Sequence, residues 1–217
     1  GEATAGTAVY ASATTGFGVL AGSTGNHGVI SYGAGGKYDF YADGAGTDFG
    51  PFTGAHDALI LKTDTAPEIG DIVNVVDIFA KRNVSNFISR VELASGVNSK
   101  AAFGVVACYS TLDDYDTENE FAAIHVSGLK NLTEVEYQAV VSDYDLLAVN
   151  GLGEGQINVC DDNGNIEVGD FISTSATPGK GQLYTGSDMR VVVAKALEPV
   201  DWSAETETTK MIACIYM

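Results

Sequence analysis

The sequence predicts an all-β protein: a short trimeric β-repeat or β-helical stem, then a compact C-terminal β-sandwich or barrel-like domain with internal duplication. Three observations carry this expectation. Val, Ile, Thr, Tyr and Phe are common among the 217 residues, and they suit pleated sheets. Glycine is abundant at 26 residues while proline is scarce at 4. That balance points to tight turns and close backbone approaches rather than a flexible linker. Short apolar runs separated by turn residues dominate, and helical periodicity is weak.

The stem is assigned to residues 1–55, including a junction. Ala8-Val9-Tyr10-Ala11, Gly18-Val19-Leu20-Ala21 and Gly28-Val29-Ile30-Ser31 recur every 10 residues, and Asp39-Phe40-Tyr41-Ala42 keeps the spacing. A period of 10 is too short for the common helical repeats and fits a β-solenoid or β-stack. One such strand buries too little apolar surface to stand alone. Val9, Val19, Leu20, Val29, Ile30 and Phe40 are therefore expected to pack against sister chains, the small residues between them allowing close approach around a common axis. A strand series inside a monomeric sandwich is the alternative.

Residues 56–217 read as the C-terminal β-domain. Strands are expected at 58–61, 72–78, 103–108, 146–149, 156–160, 171–175, 191–197 and 211–216. Asn163-Gly164 is a hairpin signal, because both central positions of that turn need positive φ. The best helical stretch is 117–124. The duplication rests on two echoes: Glu68-Ile69-Gly70-Asp71-Ile72 with Glu167-Val168-Gly169-Asp170-Phe171, and Gly104-Val105-Val106-Ala107 with Val191-Val192-Val193-Ala194. The Asp of each Gly-Asp is expected to cap its turn by accepting nearby backbone N–H groups.

Eleven Lys and Arg stand against 29 Asp and Glu, a net charge of −18. A phosphate-backbone binder needs the opposite sign, so nucleic acid and anionic membrane surfaces are excluded as partners. No run approaches the roughly 20 apolar residues needed to cross a bilayer as a helix, and membrane insertion is not expected. The N-terminus lacks the basic start and apolar stretch of a signal peptide and reads as a cut inside a longer polypeptide. Cys108, Cys160 and Cys214 form no CxxC pair and no metal spacing. Cys108 and Cys214 sit in apolar runs and are expected to be buried free thiols.

Several motifs are weighed and set aside. Gly151-Leu152-Gly153-Glu154-Gly155 precedes a strand rather than a helix, and Glu154 repels phosphate, so it reads as a tight turn. Thr177-Pro178-Gly179-Lys180-Gly181-Gln182 lacks the upstream glycine of a phosphate loop and reads as a plain loop. The acidic run holding Asp114, Asp116 and Glu118 is the weak candidate for a hard cation, though it fails the EF-hand pattern at Asn119 and His125. His56, in the junction, is placed to bond a neighbouring chain, or to take a metal or anion at a three-fold axis. No cofactor is expected, and no nucleophile, base or metal set is assembled along the chain. Tyr109, Tyr115, Tyr144, Tyr184 and Trp202 are the candidates for receptor binding, because sugars stack on aromatic faces. Core or interface packing is the competing role for each.

The chain resembles the C-terminal domains of bacteriophage tail fibres and tailspikes. "FGVLAG" and "HGVISYG" resemble the short repeats of such fibres. The stretch 38–60 is similar to the junction between repeat and terminal domain. "SDYDLLAVNGLGEGQINVCDDNGNIEVGDFISTSATPGKGQ" (142–182) and "VVVAKALEPVDW" (191–202) are similar to the terminal domain itself. The resemblance implies a homotrimer in the virion tail, made in the host cytoplasm. It joins other tail proteins upstream and attaches to a bacterial surface glycan or outer-membrane receptor. Related domains are intramolecular chaperones that trimerise the fibre, some released by glutamic-peptidase-like self-cleavage. No "SDxRLK"-like string of the serine–lysine chaperone class occurs here, and no glutamic-peptidase residue falls on a matching position. A polysaccharide depolymerase is the third and least supported reading.

Overall fold

A computed structural model of the chain describes residues 53–83, 86–110 and 134–217. The chain divides into two compact units, Gly1–Phe49 and Gly50–Met217, and the second contains all the described residues. The stem strands, the acidic run with Tyr115, and the helical stretch 117–124 lie outside them.

Among the described residues nine strands follow one another: β1 (Thr53–Leu61), β2 (Ile72–Asn83), β3 (Asn86–Leu93), β4 (Ala102–Ser110), β5 (Tyr144–Cys160), β6 (Phe171–Thr174), β7 (Gly181–Tyr184), β8 (Val192–Ala196) and β9 (Thr209–Tyr216). An α-helix, α1 (Glu134–Asp143), precedes β5. All-β is therefore the observed class.

The pairings close two circuits. In the first, β1 pairs β3 in parallel, β3 pairs β2, β2 pairs β4, β4 pairs β5, and β5 returns to β1 antiparallel. This is a five-stranded barrel. The second runs β5–β7–β6–β8–β9 and back to β5. Both circuits use β5, its first half in one and its second half in the other.

Each barrel has its own apolar filling. Ala58, Ile60, Val73, Val91, Val106, Leu147 and Val149 supply the first, with at least one residue from every strand. Ile157, Val159, Ile172, Ala196, Ile212, Cys214 and Tyr216 belong to the second core, joined by Ile72 and Val105 from the first barrel's strands. Successive side chains on a strand point to opposite faces. Ile72 with Val73, and Val105 with Val106, therefore serve two cores at once. That is why these strands read as unbroken apolar runs. A third cluster seals the outside of the first barrel: Tyr137 and Val140 on α1 pack on Leu59, Ile88 and Leu146. Their i, i+3 spacing puts both on one helical face.

Several sequence expectations change. The strands at 146–149 and 156–160 are one continuous strand, so the glycines at 151–155 are not a tight turn. Gly155 lies beneath the Tyr216 ring, where a Cβ would stand 2.5 Å from ring atoms. The absence of a side chain lets β5 pass under that ring. Asn163-Gly164 does turn, with Gly164 at φ +94°, but β5 and β6 do not pair as a hairpin; each joins β7 instead. Residues 177–182 run into β7. Cys108 is exposed, contrary to the buried thiol expected from its apolar run, because a register shift between Val106 and Cys108 breaks the alternation of β4. Cys160 and Cys214 are buried.

Candidate functional site

Two Gly-Asp turns organise the polar chemistry. Gly70 takes φ +92° and Gly169 takes φ +101°, a region open to glycine at little cost. Asp71 Oδ2 accepts the Glu68 N–H at 3.0 Å, and Asp170 Oδ2 accepts the Glu167 N–H at 2.8 Å. Both capping roles expected from the sequence are borne out.

Beyond the cap the two turns differ. Asp71 is buried, and its Oδ1 accepts from Lys180 Nζ at 2.6 Å and from Asn158 Nδ2 at 2.8 Å. Lys180 Nζ also donates to Glu68 Oε2 at 3.0 Å on the solvent side. Asn158 Nδ2 also donates to the Ile69 carbonyl at 3.0 Å. Backbone bonds run alongside: Ile72 N–H to Gly179 O at 2.7 Å, Gly179 N–H to Ala94 O at 2.8 Å, and Asn158 N–H to Gly70 O at 2.8 Å. The approach to β7 thus delivers Lys180 from the second barrel onto the first barrel's turn. Asp170 is half-exposed and caps its turn on the outside.

Burial alone would lower the pKa of Lys180, but hydrogen bonds to Asp71 and Glu68 outweigh it and hold the ammonium above its ordinary value. A lysine acting as general base must be neutral and must reach its nucleophile. Lys180 is held as the ammonium, and its hydrogen bonds go to the Asp71 and Glu68 carboxylates. Ser175, five residues upstream, donates its hydroxyl to the Thr177 and Lys180 carbonyls, both at 2.9 Å. This cluster therefore acts as a clamp between barrels rather than as a proton-transfer site.

The buried thiols are equally unreactive. Burial raises Cys160, and it pushes Cys214 up to about 12. In the native protein at neutral pH, a thiol reagent is expected to label Cys108 readily and the other two only after denaturation; equal labelling of all three in the native state would contradict this burial. Raised pKa values on Lys180 and Cys214 also set an alkaline limit. Each group binds its proton more tightly when folded, so its contribution is intact below its unfolded value, 10.5 for Lys and 9.0 for Cys, and is lost as pH rises through the folded value. Urea midpoints are expected to fall between about pH 9 and 12, and Cys214→Ala should lessen the earlier part of that fall, to which the raised Cys160 also contributes.

The candidate receptor aromatics are spread over both barrels. Tyr109, exposed on β4, donates its hydroxyl to the Pro67 carbonyl at 2.7 Å. Tyr144, half-buried at the start of β5, meets Phe79 edge-on with centroids 5.5 Å apart. The Tyr184 hydroxyl accepts the Asp188 N–H at 2.7 Å. The Trp202 indole donates to the Gly164 carbonyl at 3.0 Å, and its ring packs on the second core. The polar tips of Tyr109, Tyr184 and Trp202 are thus tied to the backbone. His56 is exposed beside Phe103, with ring centroids 5.9 Å apart. Among the described residues, no three His, Cys, Asp or Glu side chains group as a metal site.

A depression between the barrels, lined by Phe103, Asn150, Arg190, Tyr216 and Met217 among others, holds about 30 Å³, room for a few waters at most. Lys180 and Asn158 were not anticipated as site residues: they lie 109 and 87 residues from Asp71 in the chain, and no local spacing connects them to it. No protein-family model and no curated protein matches this chain.

Proposed function

We propose that the chain is the trimeric C-terminal module of a phage tail fibre or tailspike, serving attachment to the host surface. The observation that carries this reading is the closure of both circuits through β5. An open sheet edge presents unpaired N–H and C=O groups and templates further pairing. The end of a fibre built from repeated strands needs a device that stops such pairing, and a closed barrel is one. The acidic balance of −18 keeps such a tip soluble and suits neutral glycans.

Internal duplication belongs to the same reading. Each circuit has a parallel pair, β1–β3 or β5–β7, and an antiparallel return, β1–β5 or β5–β9, in the same chain order. The Gly70 N–H bonds the Val106 carbonyl, and the Gly169 N–H bonds that of Ala196. These bonds set Val106 against Ala196, three residues beyond the echo read from sequence.

Two measurements test the proposal. The purified chain should bind host cells and compete with phage adsorption; absence of both argues against an attachment tip. Mass spectrometry of virions carrying the parent protein should find residues 56–217 retained. A clean break near 42–57 would favour the removable chaperone instead.

A further inference from the structure

The run Met211-Ile212-Ala213-Cys214-Ile215-Tyr216-Met217 is apolar at every position. Ile212, Cys214 and Tyr216 fill the second barrel. The alternate side chains point outward, and Met211, Ile215 and Met217 are 40, 36 and 54 % exposed. A strand with one solvated face alternates apolar with polar residues; a strand apolar on both faces is the pattern of one covered on both. Exposed contiguous apolar surface of this kind marks interaction sites.

The register defines the surroundings. Ile215 stands opposite Lys195 on β8 and opposite Glu154 on β5. Directly opposed side chains share a face, so the three form a row: a cation, an apolar centre and an anion. Leu152, on β5 beside this row, is 55 % exposed. The start of β1 lies here as well. Thr53 pairs with Gly153, and a Cβ on Gly54 would lie 3.3 Å from the Cβ of Leu152. Thr53, where the described residues begin, therefore lies beside this patch.

We infer that the outer face of β9, centred on Ile215, is buried against further copies of this chain. The inference rests on the fibre reading above, which supplies the number three. Charge favours the same occupant. At −18 per chain, most approaches bring acid against acid. This row balances one lysine with one glutamate, and in a ring of copies the Lys195 flank of one meets the Glu154 flank of the next.

The test uses the full 217-residue chain at micromolar concentration. Light scattering should give three times 22.6 kDa for the parent and one chain mass for Ile215→Asp. Val135→Asp, on α1 at 80 % exposure, should leave the trimer intact. Circular dichroism and melting of the Ile215→Asp chain check that the barrels still form. An independent readout needs no variant. Met189, Met211 and Met217 are the three methionines, and Met189 is 49 % exposed, between the other two in a single chain. In the assembled protein, peroxide should oxidise Met211 and Met217 severalfold more slowly than Met189. A parent trimer that survives Ile215→Asp and shows equal oxidation rates overturns this face while leaving the fibre reading standing. A monomeric parent overturns both.

Discussion

Asp71→Ala is expected to cost about 3–5 kcal/mol of folding stability, the range for breaking a buried ion pair by removing one partner. The variant leaves the Lys180 ammonium, whose side chain is only 13 % exposed, with Glu68 at the surface as its remaining carboxylate. It also removes one of the two acceptors of Asn158 and the cap on Glu68. For a chain of this size each kcal/mol moves the melting temperature by about 2–4 °C, so a drop on the order of 10 °C is expected. Asp170→Ala is the matched control. It deletes the same cap from the other turn without a buried lysine, and about 1 kcal/mol is expected. Urea unfolding of both variants reads the difference, and equal losses would show that the clamp adds nothing to the cap.

Gly104→Ala is the second large effect, at about 3 kcal/mol, the upper end of ordinary overpacking. Here β4 lies between β2 and β5, with Val105 opposite Asn150. A Cβ at position 104 would collide with the Asn150 carbonyl oxygen and stand 2.9 Å from Val149 Cγ1. A backbone oxygen within a paired strand cannot swing aside as a side-chain tip can, so the strands must part. Gly96→Ala provides the contrast. Gly96 has φ +90° but nothing within 4 Å of a new Cβ, leaving only the left-handed backbone cost of about 1–2 kcal/mol. Matching losses at both positions would mean that steric contact at Gly104 is not what keeps it glycine.

Much of the strand content was legible because burial writes itself into apolar runs. Runs such as Ile72–Ile78 and Met211–Tyr216 announce β2 and β9 directly. Strand β3 escaped notice because Ser89 and Arg90 interrupt it, although Ser89 is wholly buried. Strand β7 is four residues long and begins with Gly181-Gln182, which resembles a loop. The unity of β5 was hidden by glycines that ordinarily signal turns, but here make room for Tyr216. Helix α1 mixes five polar and five apolar residues and shows itself only through the barrel surface under Tyr137 and Val140. The cap chemistry of Asp71 was readable because its partner is three residues away. Its pairing with Lys180 was not, since the fold alone brings them together. The exposed thiol of Cys108 depends on a register shift, which composition does not encode.

The sharing of β5 has a consequence for synthesis on the ribosome. The first barrel cannot close until β5 emerges, some 90 residues after β1. Non-local closure of this kind is slow, since loop entropy is lost before pairing rewards it. Once residues 144–150 have docked, however, 153–160 continue the same strand, already extended and held in place. The second barrel then grows on a template rather than from a free chain. Its short members then follow in turn, β7 adding to β5 and β6 adding to β7. Assembly should therefore run from the N-terminal barrel to the C-terminal one, with β9 as the final stave.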